Sequence, residues 1–199
     1  NNTYRIWLSE VMLQQTQANT VIPYYNRWLK VFPNINLVAS ANIDTILKLW
    51  EGLGYYRRAH HFHKSAKIII NKYQGVIPNE YDKFLALPGV GPYICSAVLS
   101  MSHNLPFAAV DVNVIRVFSR LFQIKTPTNK SYKTIFRVVS KIIPQNRAGD
   151  FNQSIMDLGR VVCRPHSPNC HRCPINLYCL SYKNNLVSKF PIILKRKRK

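Results

Sequence analysis

The sequence predicts an all-α fold. Three observations carry this. Apolar residues recur at helical spacing along most of the chain, capping and breaking residues punctuate those runs, and no alternating strand pair or internal repeat is visible. With 199 residues, 47% of them hydrophobic, the chain can bury a sizeable core as one large domain or two small ones.

Taken in order, Ile6, Trp7, Leu8, Val11, Met12 and Leu13 form an apolar helical segment. A second helix is expected over 21–31, with Pro33 just beyond its end. Asn42 can cap a helix that stops at Gly52. Residues 55–71 read as a basic helix carrying His60, His61 and His63. Asn79 can cap a short helix ending near Leu87, and Pro92 suits the first turn of a helix running to about His103. Helices over 113–123, 132–143 and 151–162 follow, and the stretch 103–106 reads as a boundary between two helical lobes.

Charge restricts the partners. The net charge is +20, from 28 Lys and Arg against 8 Asp and Glu, so the surface repels itself unless it meets an anion. Nucleic acid is the first reading and a membrane surface the bland one. No apolar run approaches the roughly 20 residues a membrane span needs, and residues 1–5 lack the pattern of a signal peptide. The run Lys195-Arg196-Lys197-Arg198-Lys199 reads as a solvated end, with extra phosphate contact as the sharper alternative.

Four of the five cysteines fall in one window. Cys163, Cys170, Cys173 and Cys179 have the spacing C-x6-C-x2-C-x5-C, which points to a reducing compartment and a metal site rather than a disulfide framework. Four thiolates satisfy either a structural zinc ion or a [4Fe–4S] cube. Zinc sites usually pair two close knuckles, and only one C-x-x-C is present. Arg164, His166, His171 and Arg172 lie among these cysteines, so the loop can also face phosphates. Cys95, in an apolar helix, reads as core.

The string Leu87-Pro88-Gly89-Val90-Gly91 joins two helical segments. Gly89 and Gly91 permit a ligand to approach the backbone closely, and their amides with the following helix N-terminus can form an anion site. The plain alternative is an ordinary glycine-rich turn. Among the acids, Glu10 sits within an apolar helix. It is either an exposed residue on a polar stripe or a desolvated carboxyl with a raised pKa that can donate a proton. Asp111 reads as a helix N-cap and can also be a fixed negative charge. Two carboxylates in different surroundings are what cleavage of a glycosidic bond requires.

Several strings resemble one family. Residues 7–17, Trp-Leu-Ser-Glu-Val-Met-Leu-Gln-Gln-Thr-Gln, resemble the catalytic helix and following loop of MutY-type adenine DNA glycosylases, within the endonuclease III and helix-hairpin-helix superfamily. Residues 52–58, Gly-Leu-Gly-Tyr-Tyr-Arg-Arg, are similar to the minor-groove segment of those enzymes. Residues 152–159, Asn-Gln-Ser-Ile-Met-Asp-Leu-Gly, resemble the helix before their cluster. The Leu-Pro-Gly-Val-Gly string resembles the helix-hairpin-helix motif, and the cysteine spacing is similar to that of the [4Fe–4S] site.

The resemblance covers about residues 3–182 and implies a helix-hairpin-helix DNA glycosylase fold. A six-helix lobe over 3–105 would precede a helical iron–sulfur lobe over 106–182 and a basic tail over 183–199, with the active site in the cleft between lobes. It implies that Glu10 protonates the purine at N7, that Asp111 stabilises the oxocarbenium-like sugar, and that Asn113 holds Asp111. Tyr93 stands where endonuclease III has a nucleophilic lysine, so Schiff-base lyase chemistry is not expected. Gln15 and Tyr55 would enter the base stack around the flipped nucleotide, with core packing as the alternative for Tyr55 or Tyr56. Gln14, Leu53, Gly89 and Gly91 would also contact DNA.

The implied activity is monofunctional excision of adenine opposite 8-oxoguanine or guanine by a monomer acting on double-stranded DNA, inside the cell and off the membrane. Tyr93 also fits thymine/uracil mismatch glycosylases of the superfamily, whereas Gln14-Gln15-Thr16 favours the adenine branch. A catalytically inactive DNA-binding iron–sulfur protein is the non-enzymatic alternative. MutY-type enzymes carry a further helix before the catalytic one and a C-terminal domain that checks for 8-oxoguanine, so the chain reads as the catalytic part without them.

Overall fold

A computed structural model describes residues 2–193, so the basic run 195–199 lies outside the described residues. Among these, the regular elements are helical and none is a strand. The chain divides into two units, one ending at His103 and one beginning at Asn104. No helix is long and apolar enough to cross a membrane.

The first unit contains α1 (Thr3–Leu13), α2 (Ala18–Val31), α3 (Ile35–Ser40), α4 (Ile43–Trp50), α5 (Arg57–Tyr73), α6 (Tyr81–Leu85) and α7 (Pro92–His103). Its core is aromatic. Trp7 packs on Phe62 and edge-on to Phe84, and Trp28 packs edge-on to Phe32, Trp50 and Phe62. Each such side chain contributes about 1.5–3 kcal/mol by burial. The Trp28 indole N–H donates to the Tyr4 hydroxyl at 2.9 Å, and that hydroxyl donates to the Phe32 carbonyl at 2.6 Å, so these two polar tips are satisfied inside the core, while the buried Trp7 indole N–H has no partner among the described residues. α1 packs against α7, which sets Glu10 beside the start of α7.

Several boundaries differ from the expectations. α3 is an additional helix; Asn34 caps it by accepting from the Leu37 N–H at 3.1 Å. The basic helix starts at Arg57 rather than at residue 55, because Tyr55 takes the left-handed backbone with φ 48°. α6 has Glu80 at its N-cap with no side-chain cap bond, so Asn79 does not cap it.

The second unit contains α8 (Val112–Leu121), α9 (Thr128–Ile142), α10 (Ala148–Asp157), a π-turn at Leu158–Val162 and short turns leading to α11 (Leu180–Lys183). Val114, Val117 and Phe118 of α8 pack with Ile135 and Val139 of α9. The helix expected over 151–162 is therefore α10 followed by the π-turn. A Cβ at Gly159 would stand 2.7 Å from the Asn113 Cβ and 3.2 Å from its backbone, so only glycine lets this turn close on α8. Asn152 is buried and braces the segment before α8, donating to the Phe107 carbonyl at 2.9 Å and accepting from the Ala109 N–H at 3.2 Å.

Candidate active site and nucleic-acid interface

Glu10 is half-buried on α1. The Tyr93 hydroxyl, from the second residue of α7, donates to its Oε2 at 3.0 Å. Glu10 is thus not a freely solvated residue, and its partner comes from the helix that follows the glycine hairpin.

The hairpin itself is built from both sides. Leu87 and Val90 point inward and are buried, while Gly89 is exposed. The Val90 N–H donates to the Leu87 carbonyl at 3.1 Å and closes the turn. Gly89 has φ +78°, and a Cβ there would meet the His61 Cβ at 2.7 Å, so two independent constraints demand glycine. Gly91 is different. Its backbone is ordinary and an added Cβ would meet nothing within 4 Å, so nothing inside the chain requires glycine there. Its carbonyl accepts from the Cys95 N–H at 2.9 Å, which opens α7 directly behind the turn.

Two exposed loops flank this region of the first unit. Gln14 ends α1, and Gln15 follows it, exposed, with φ 58°. In the second loop Leu53 is buried, whereas Tyr55 is 57% exposed and Tyr56 44% exposed. Neither tyrosine is a core residue, whereas the Leu53 side chain is buried in the core and its carbonyl accepts from Arg58 Nη2. Sequence reasoning missed the group that joins these loops. Arg58, buried on α5, donates from Nη1 to the carbonyls of Val11 (3.1 Å), Met12 (2.7 Å) and Gln14 (2.7 Å). Its Nη2 donates to the Thr16 hydroxyl (3.2 Å) and to the carbonyls of Leu53 (3.3 Å) and Gly54 (3.2 Å). Burial pulls its pKa below the usual arginine value, opposed by Tyr55.

In the second unit Asp111 is the N-cap of α8, with Oδ1 accepting from the Val114 N–H at 2.7 Å. Its other oxygen accepts from Asn113 Nδ2, also at 2.7 Å. Asn113 is in turn fixed by the buried Arg116, whose Nη2 donates to Asn113 Oδ1 at 2.7 Å and to the Gly159 carbonyl at 2.6 Å. Asp111 is therefore both a cap and a carboxylate oriented by Asn113.

Cys163, Cys170, Cys173 and Cys179 line one cavity, walled by apolar residues including Val117, Leu121 and Ile175. Arg120 Nη1 donates to Cys163 Sγ at 3.3 Å. Burial, and then the nearness of the other three cysteines, pushes the Cys170 thiol up; Arg120 opposes this. Burial likewise raises the Cys173 thiol. Among the described residues, no group of three or more His, Cys, Asp or Glu is placed to hold a metal ion. Cys95 is fully buried and donates to the Tyr81 carbonyl at 3.4 Å, apart from these four.

Known proteins share this architecture. The chain is 40% identical over 198 residues to a protein of Buchnera aphidicola (subspecies Baizongia pistaciae) named adenine DNA glycosylase, covering 100% of this chain and 56% of that protein. It is 36% identical over 179 residues to the human protein of that name, covering 88% of this chain and 33% of that one. The chain thus spans about half the length of the bacterial relatives it matches, and less of the human one. Among solved structures, a thermostable thymine-DNA glycosylase superposes with TM-score 0.83 at 27% identity, covering 92% of this chain and 85% of that one. A trapped endonuclease III–DNA covalent intermediate shares the fold with TM-score 0.80 at 24% identity, covering 94% and 87%. Residues 8–145, which hold Glu10, the glycine hairpin and Asp111, match the family described as HhH-GPD superfamily base excision DNA repair protein. That match takes in more than half of the sequence, and the chain belongs to the HhH-GPD superfamily of base excision DNA repair proteins.

Proposed function

We propose that this chain is the catalytic part of an adenine DNA glycosylase, a monofunctional hydrolase that removes adenine mispaired with 8-oxoguanine or guanine from double-stranded DNA in the cell. The observation that carries the reading is the pairing of Glu10 with Tyr93. It sets a half-buried acid next to the hairpin and supports reading Tyr93 as a phenol in place of the amine a lyase uses as its nucleophile. The relatives named adenine DNA glycosylase support the choice of base.

In this mechanism Gly89, Gly91 and the start of α7 take a backbone phosphate through their amides. Gln15 and Tyr55 occupy the gap in the stack, with Gln14 lining the same strand. Glu10, as the carboxylic acid, passes its proton to adenine N7, and the C1′–N9 bond breaks with its electron pair leaving on the base. Asp111, kept in place by Asn113, holds negative charge towards the cationic sugar. Water then adds to C1′ and gives up its proton to the Glu10 carboxylate, which restores the acid. Tyr93 orients Glu10 and forms no bond to the sugar.

Cys163, Cys170, Cys173 and Cys179 would hold a [4Fe–4S] cluster, which when bound ties the 163–179 loop together and supplies positive charge against four thiolates. What supports a cluster is the apolar cavity that the four cysteines share. Iron analysis of anaerobically purified protein is expected to give about four irons per chain. One zinc without iron would refute the assignment.

The test of the activity is single-turnover base release from duplexes containing A opposite 8-oxoguanine, A opposite G, T opposite G and U opposite G. Release of adenine alone is expected. Release of thymine or uracil alone would favour the second reading, a mismatch glycosylase, which the likeness to the thymine-DNA glycosylase structure motivates. Tight DNA binding without release from any duplex would instead indicate an inactive DNA-binding protein.

A further inference from the structure

Arg58 carries a charge into the interior of the first unit, 9% exposed, and its hydrogen bonds there go to carbonyls and a hydroxyl rather than to a carboxylate. A buried guanidinium is costly unless its protons are used. Part of its use is local. α1 has no basic residue in its own last turn, and the carbonyls of Val11 and Met12 belong to the set a helix end leaves unpaired. An arginine serving only as a helix cap would stop there. Arg58 goes on to bind the carbonyl of Gln14 and the hydroxyl of Thr16 on one loop and the carbonyls of Leu53 and Gly54 on another.

Those bonds lie next to two strained residues. Gln15 has φ 58° and Tyr55 has φ 48°, left-handed conformations that are unfavourable for a side-chain-bearing residue and persist only where the surroundings impose them. The Gln14 and Thr16 contacts stand on either side of Gln15. The Leu53 and Gly54 contacts precede Tyr55, whose ring lies 5.2 Å from the guanidinium carbon. We infer that Arg58 is a positioning residue that holds Gln15 and Tyr55 as a matched pair of preset wedges for the opened duplex. The inference rests on the reading of those two residues as the groups that enter the base stack. Arg58 itself touches no base. A lysine cannot replace it, because one ammonium offers three donors from a single point and cannot serve both loops.

The test uses the full chain and a duplex with 2-aminopurine opposite 8-oxoguanine, whose fluorescence rises as the target base unstacks. Arg58→Lys is expected to lower that rise about fivefold or more, while affinity for undamaged duplex changes less than about twofold. In a Gln15→Ala/Tyr55→Ala background, Arg58→Lys is expected to cause no further loss; a merely structural arginine would add its effect to theirs. If the double variant lowers the signal but Arg58→Lys does not, or if the effects add, the positioning role is overturned and the wedge reading stands. If the double variant leaves the signal intact, the wedge reading falls and this inference with it. Should Arg58→Lys unfold at the assay temperature, Thr16→Val removes one acceptor and leaves the guanidinium in place. A loss of about twofold is then expected, and no change would overturn the role.

Discussion

Replacing each hairpin glycine by alanine separates two roles that the sequence presents as one. At Gly89 the methyl group meets two penalties: a left-handed backbone, φ +78°, and a Cβ placed 2.7 Å from the His61 Cβ and 3.1 Å from its Nδ1. The first costs about 1–2 kcal/mol and the second about 1–3 kcal/mol as overpacking, so Gly89→Ala should lose roughly 2–5 kcal/mol of stability. For a chain of this size that lowers the melting temperature by on the order of 10 °C. At Gly91 the backbone is ordinary and the space is open, so Gly91→Ala should stay within about 1 kcal/mol of the parent. If the Gly91 amide faces a phosphate, however, the methyl group stands in the way, and a lost charge-assisted hydrogen bond lowers affinity about tenfold or more. The assay is thermal unfolding beside duplex affinity at about 50 and 200 mM salt. A Gly91→Ala protein that binds duplex like the parent at both salts would refute the phosphate role of the hairpin. One that melts as low as Gly89→Ala would refute the reasoning from geometry.

The two carboxylates should separate from binding: Glu10→Gln and Asp111→Asn are each expected to cut single-turnover adenine release by at least about a hundredfold with DNA affinity kept, since Asn caps nearly as well as Asp. Near-normal release in either variant would remove that residue from the mechanism. Tyr93 offers no amine, so borohydride should trap little covalent DNA complex, and efficient trapping would show that another amine attacks the sugar. His63 is 5% exposed, and burial, then Lys67, pull its pKa below 6.5; the bond to the Ala41 carbonyl opposes this. A lowered folded pKa means the unfolded chain binds the proton first, so its contribution is present above 6.5 and is lost as pH falls through the folded value. His63→Gln should therefore flatten the stability difference between about pH 7 and pH 5 in denaturant unfolding, and an unchanged difference would contradict the assignment.

Most helices were readable because their apolar faces are long. α1 exposes the pattern plainly: Tyr4, Trp7, Leu8, Val11 and Met12 are buried in the spacing of one helical face. α3 was not readable by period, since six residues with only Ile35 and Val38 buried give too short a wave. Its Asn34 cap, next to Pro33, is the signal the sequence carries for it. The π-turn could not be read at all. It follows from how closely Gly159 approaches Asn113, a contact between residues far apart in sequence.

The candidate site divides in the same way. Glu10, Asp111, the glycines and the cysteines stand out because each is a rare residue type in a suggestive local string. With 8 acids and 5 cysteines in 199 residues, position alone is informative. The arginines give no such signal, because a chain with 28 basic residues makes any one of them look like solvated surface. Yet Arg58, Arg116 and Arg120 are buried, and the carbonyls they bind include Met12, Gly159 and Arg164. The salt bridges among the described residues, Lys83–Glu80, Arg147–Asp150 and Arg160–Asp157, are exposed pairs three residues apart and contribute little. Carbonyls accept an arginine without cancelling its charge. Internal order is thus obtained from basic residues while the net charge of +20 stays available to an anionic partner, which a fold knitted by carboxylate pairs would have had to give up.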